Sequence, residues 1–278
     1  MPNWTRNTPW RQGSLLTVET AKAVNVLHPE DPDGSVVIVA THNCDLAQLP
    51  DKEPYVEVIV GRKIHKLDGN NTYAKSARTL NLKFEGNEPL LAEFVITNKR
   101  FIQKTSLTGY QPNIDFYLSH SEFSTFQIWL ASRYRRAAFP DEFERRMKDS
   151  GIASKIAKIA KQHGEKITAI FFDVDEGEEI THSTPTDTYL LDIILLYETE
   201  PDATSAEDTA NRAKASIEQA FKEKLYQEQS ETWQDIELRY VDVVSEEALT
   251  YRQSTLLRKW NLDYLSLRTN PQQSVLAE

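Results

Sequence analysis

The sequence predicts an α+β protein with a small N-terminal β-barrel or sandwich, a helical connector, and a C-terminal antiparallel α/β sandwich. Three observations predict it. Short β-branched segments punctuated by turn residues fill the first 118 positions. Helical periodicity takes over at Ser119. The remainder alternates strand-like and helix-like stretches in the order β-β-α-β-α. The expected domains are 1–118, 119–165 and 166–278.

The N-terminal strands are "GSLLTVE", "GSVVIVAT", "YVEVIVG", "ARTLNLKF" and "LLAEFVIT", separated by "HPEDPDG", "LPDKEP", "LDGNN" and "EGNEP". Strands at such close spacing suit a small barrel or sandwich. The order "QGSLLTVE", a turn-rich gap, then "VVIVATHN" resembles the opening of the PemK/MazF-type toxin barrel over about fifty residues. That resemblance implies an SH3-like fold. The basic and polar residues that such toxins place after their first strands have no counterparts here, so ribonuclease activity does not carry over.

Ser119 and Glu122 form a capping box, since hydroxyl and carboxylate can each satisfy a free amide at a helix start. Phe123, Phe126, Leu130 and Tyr134 follow at helical spacing. Pro140 suits the first turn of "PDEFERRMKD", where its missing donor costs nothing. Ile152, Ile156 and Ile159 make one stripe of the next helix, which Gly164 ends. "KITAIFFDVD" and "TYLLDIILLYE" then read as paired strands. A long helix follows, opened by a box of Ser205 and Asp208, then the strand "IELRYVDVV" and a helix over "SEEALTYRQSTLLRKW".

One cysteine among 278 residues cannot close an internal disulfide, which favours a reducing compartment. The N-terminus lacks the apolar core of a signal peptide, and no apolar run approaches the ~20 residues that span a bilayer. A cytoplasmic protein with no membrane partner is expected. The net charge of −10 is uneven. Positions 133–166 carry ten basic against five acidic residues, and positions 171–249 carry 21 acidic against five basic. Overall acidity opposes wholesale nucleic-acid coating, whereas the basic block leaves a local phosphate contact open.

Three groups of residues carry candidate chemistry. In "THNCDLAQ", Cys44 could act as a nucleophile if His42 or His65 served as its base and Asp45 oriented the imidazole. The continuously apolar run before it predicts instead a buried, inert thiol. In "WLASRYRRAAFPDEFERR", Arg133, Arg135, Arg136, Arg145 and Arg146 could fork onto phosphates, with Tyr134 and Phe139 interleaved. The competing reading is an internal charge lattice, with Glu142–Arg146 and Glu144–Lys148 as i,i+4 pairs. Finally, strand alternation sets Asp173 and Asp175 on one face. A hairpin register in which opposed numbers sum to about 363 brings Asp192 diagonal to Asp173. Three such carboxylates would suit Mg²⁺ or Mn²⁺, although no E-x-K follows.

The sequence contains no Gly-rich phosphate loop, G-x-S-x-G, H-E-x-x-H or paired C-x-x-C, which disfavours NTPases, zinc proteases and dehydrogenases. The leading expectation is a nucleic-acid- or phosphate-associated component of a bacterial-type complex or defence system. The defence context rests on analogy to toxin-like barrels. A cysteine-dependent hydrolase and a protein-interaction scaffold without chemistry are the alternatives. No cofactor is required, a divalent metal being the one left open. The expected partners are nucleic acid and a second protein or a second copy of the chain.

Overall fold

The structure is a computed structural model describing residues 4–132, 134, 139–178, 180, 182, 184, 187–250 and 257–261. It is mixed α+β and divides into two compact units. One takes in residues 4–67 and 76–134, the other residues 68–75 and 139–261.

The first unit is a curled antiparallel half-barrel. Its chain order is β1 (Leu15–Leu16), α1 (Val18–Ala23), β2 (Ser35–Val39), α2 (Asn43–Leu46), β3 (Tyr55–Lys63), β4 (Thr79–Glu85), β5 (Leu90–Gln103), a 3₁₀ turn (Lys104–Leu107), β6 (Pro112–Asn113), β7 (Tyr117–Leu118) and α3 (His120–Ser132). Across the sheet the order is β6-β1-β2-β3-β5-β4-β7. The expected first strand is cut to two residues because Thr17 accepts a hydrogen bond from the Thr20 amide and starts α1. Both faces of the central strands are covered, which explains the unbroken apolar run of β2. Val37, Val39, Val56, Val58 and Val60 join Trp10, Ile102 and Leu107 in one core, while the alternate residues Ile38 and Ile59 are equally buried on the other face. At Gly61 the β3–β5 register shifts, and a Cβ there would collide with the Glu93 carbonyl. The sheet ends on two-residue strands, which leaves little free edge.

The second unit contains α4 (Asp141–Asp149), α5 (Ile152–His163), β8 (Ile167–Val174), β9 (Tyr189–Tyr197), α6 (Ala203–Leu225), β10 (Tyr226–Gln227), β11 (Thr232–Trp233), β12 (Ile236–Ser245) and β13 (Arg258–Lys259). Its four-stranded sheet runs β12-β9-β8-β13. Here an expectation is corrected: the sheet is mixed. β8 and β9 are antiparallel, but β12 lies parallel to β9. The 23 residues of α6, about 34 Å of helix, return the chain to the starting end of β9, and such a crossover makes neighbours parallel. The α6 cap is Asp202, whose carboxylate accepts from the Ser205 amide, rather than the expected Ser205. The helix expected after β12 is not formed at residues 246–250, which are turn and irregular, and Arg258–Lys259 is a strand; positions 251–256 lie outside the described residues. The stretch expected to form a separate connector is shared out, with α3 in the first unit and α4 and α5 in the second.

Residues 68–75 interrupt the first unit and fold with the second. Asp68 pairs with Lys161 at 2.9 Å, and the Tyr73 hydroxyl lies 2.5 Å from a Glu198 carboxylate oxygen. Lys75 is 1% exposed and donates to the carbonyls of Gly164, which the end of α5 leaves open, and of Ile167 at the start of β8.

Candidate functional site

The "THNCD" segment sits at the end of β2 on a braced turn. After Ala40 the chain leaves the strand, and His42 caps α2 by accepting the Cys44 amide at Nδ1, 3.3 Å away. Around it, the Gln12 amide donates to Asn43 Oδ1 at 2.9 Å, and the Glu57 amide donates to Thr41 Oγ1 at 2.6 Å. Beneath it lies Lys104, fully buried, which donates to the Asp45 and Gln48 carbonyls at 2.6 and 2.8 Å and faces the Trp4 ring. Burial pushes the Lys104 amine below its ordinary pKa.

This geometry corrects the expected burial of the thiol. Cys44 is exposed, because the helical turn gives the core position to Leu46 instead. His42, Asn43 and Asp45 are exposed with it. His65 does not join them. β2 and β3 are antiparallel, and the Glu57 carbonyl accepts from the Ala40 amide, so Lys63 and His65 lie at the opposite end of the strand pair. Six residues of strand separate Glu57 from Lys63, roughly 20 Å. His42 Nδ1 is itself engaged, as the acceptor of the Cys44 amide.

Beside this turn the first residues of β3 and the last of β5 carry exposed aromatic rings. Tyr55 opposes Gln103 and Glu57 opposes Phe101, so all four share one face. Tyr55 and Phe101 are 46% and 61% exposed and meet edge-on with centroids 6.4 Å apart. Glu57 pairs with Lys99 on the same face at 2.8 Å, and Leu49 is exposed in the loop before β3. Sequence reading missed this patch, although Tyr55 and Phe101 break an otherwise regular apolar alternation.

The arginines divide sharply. Arg146 is 2% exposed and works inside the second unit. It donates to the carbonyls of Asp187, Asp235 and Thr184 at 2.7 to 3.0 Å and to Glu142 at 2.9 Å, with its guanidinium over the Tyr189 ring. Arg145 is held by Glu142 and Asp149, and these hydrogen bonds with Arg145 and Arg146 pull the Glu142 carboxyl down to about 2. The expected Glu142–Arg146 pair is thus present. Arg133, Arg135 and Arg136 lie outside the described residues.

The carboxylates of β8 and β9 are also in use. Opposed numbers sum to 365, not 363, so Asp192 faces Asp173 directly instead of diagonally. Asp192 is buried and takes a forked contact from Arg239, which also reaches Glu176. Burial, then the neighbouring Asp192 charge, raise the Asp173 pKa. Asp175 leaves the strand in a left-handed turn at φ +51° and binds His182 and the Leu190 amide. Among the described residues no group of three His, Cys, Asp or Glu side chains is placed to hold a metal ion.

No protein-family model matches the chain, and no curated protein or solved structure is similar enough to count as a match. No helix among the described residues is long and apolar enough to cross a membrane.

Proposed function

We propose that this protein is a binding component of a larger assembly, working by docking through its β half-barrel rather than by catalysis. The observation that carries this reading is the distribution of exposed apolar side chains. Of ten large hydrophobics exposed among the described residues, eight belong to the first unit: Val18, Leu49, Tyr55, Phe101, Ile114, Tyr117, Ile128 and Tyr134. That unit is also electrically balanced, with thirteen basic and thirteen acidic residues. Neutral surface bearing exposed rings is the composition of protein interfaces, whose anchors are aromatic. The Tyr55–Phe101 pair next to the braced turn brings two of these rings into contact. Against a catalytic reading of the same turn stand the far-end position of His65 and the engagement of His42 Nδ1 by the Cys44 amide. Phosphate contact is retained on Arg133, Arg135 and Arg136, now without Arg145 and Arg146.

The test is a double variant, Tyr55→Ser with Phe101→Ser. Both side chains are exposed, so its melting temperature should match wild type. Association should be lost, read as self-association by sedimentation over a concentration series and as partner recovery relative to wild type in quantitative capture from the source cell. A folded variant that keeps every wild-type association overturns the reading.

A further inference from the structure

The second unit contains a buried ionisable cluster that no docking role explains. His182 has a side chain 6% exposed and stands between two carboxylates, with Nε2 2.8 Å from Asp175 Oδ2 and Nδ1 2.8 Å from Asp187 Oδ1. An ionised carboxylate only accepts, and a neutral imidazole has a single N–H. Both contacts are hydrogen bonds only when the ring carries two protons; a neutral ring would turn a lone pair towards one of the anions.

Described neighbours from α4, β8 and β9 brace this arrangement. Tyr189, the first residue of β9, lies against the imidazole with centroids 4.0 Å apart. Arg146 of α4 faces Tyr189 and ties down the Asp187, Thr184 and Asp235 carbonyls, with Glu142 on its other side. Asp175 Oδ1 accepts the Leu190 amide at 2.8 Å. Asp175 and Glu176 hold positive φ, at +51° and +57°, a conformation that side-chain-bearing residues adopt reluctantly and keep only where contacts impose it.

We propose that His182 is a proton-operated clasp: as an imidazolium it bridges Asp175 and Asp187 and so holds the strained turn after β8 against the first residues of β9. Loss of one proton breaks one arm. The clasp is independent of the docking reading and concerns the second unit alone. Its sign follows from the geometry. Burial opposes the charge, but the hydrogen bonds the ring donates to Asp175 and Asp187 outweigh it and raise the His182 pKa. A group whose folded pKa is raised stabilises fully below its ordinary value and loses that contribution as pH rises through the folded one. The clasp is therefore closed at mildly acidic pH, provided the carboxylates stay ionised, and opens on the alkaline side of 6.5.

The experiment uses the full chain and heteronuclear NMR of the imidazole nitrogens from about pH 5.5 to about pH 9. Both His182 nitrogens should be protonated at about pH 5.5, with a midpoint above 6.5. Asp187→Asn, at a side chain 50% exposed, should leave the fold intact and lower the midpoint by about one pH unit. Protection of the Leu190 amide should fall as the ring deprotonates in wild type, and lose that step in His182→Gln. A single neutral tautomer at about pH 5.5, or a midpoint that Asp187→Asn leaves in place, overturns the proposal. Should His182→Gln fail to fold, the Asp187→Asn titration decides alone.

Discussion

Arg145 and Arg146 are adjacent in sequence, identical in chemistry and opposite in role, which is a lesson available only at the residue scale. On a helix, neighbours point about 100° apart, so one guanidinium reaches solvent while the other enters the core. Arg146 meets acceptors at nearly all of its donors, the arrangement that makes a buried cation tolerable. Removing it would orphan four backbone carbonyls and leave cavity as well as lost charge. Arg146→Ala should therefore cost about 3–5 kcal/mol in denaturant unfolding, in the range found when one member of a buried polar cluster is deleted. Arg145→Ala should leave the midpoint unchanged, because its partners are solvated and exposed ion pairs contribute little. Equal effects of the two substitutions would show that the helix is oriented otherwise. Cys44 teaches the same point in reverse: a thiol after an apolar run reads as core until a helical turn moves it outward.

At the scale of elements, the sequence made the strands, the α3 start and the α5 stripe legible, because apolar period and turn chemistry are local signals. Half of the α3 box is present: the Glu122 amide donates to Ser119 Oγ at 3.2 Å. What local pattern could not show was pairing. The parallel return of β12, the two-residue slip of the β8–β9 register and the opposite-end placement of His65 all depend on where the chain goes between elements. Buried lysines were equally invisible: Lys75 and Lys104 look like surface residues in sequence, yet each closes off a carbonyl at a helical end, one in each unit. The Glu122 carboxylate accepts from the Lys83 backbone rather than from the Ser119 amide, and it yields a prediction with a definite sign. Burial raises Glu122 from 4.5 to about 7, so folding favours its protonated form. The proton-linked contribution is full below 4.5 and disappears as pH rises through about 7. Glu122→Gln should melt near wild type at acidic pH and several degrees higher above neutrality. A constant difference between the two proteins at all pH values would mean that the carboxyl titrates normally.

For the whole molecule, charge and apolar exposure separate between the units. The first is balanced, whereas positions 68–75 and 135–269 carry 28 acidic against 19 basic residues. Part of the basic block that seemed free for phosphate neutralises this acidic unit from within: Arg145, Arg146 and Lys161 end on its carboxylates or carbonyls, as does Arg239 from β12. Any polyanion binding must then come from the remaining cations, and Arg133, Arg135 and Arg136 are the densest group among them. Each phosphate contact releases counterions and contributes about 0.7–0.9 to the slope of log K against log salt. Replacing these three arginines together by Ala should weaken binding to a generic single strand and flatten that slope by about two units. Arg146 must stay out of the set, because its loss would unfold the second unit and mimic lost binding. A triple variant that keeps both the affinity and the slope of wild type would remove the phosphate reading altogether and leave docking through the half-barrel to stand alone.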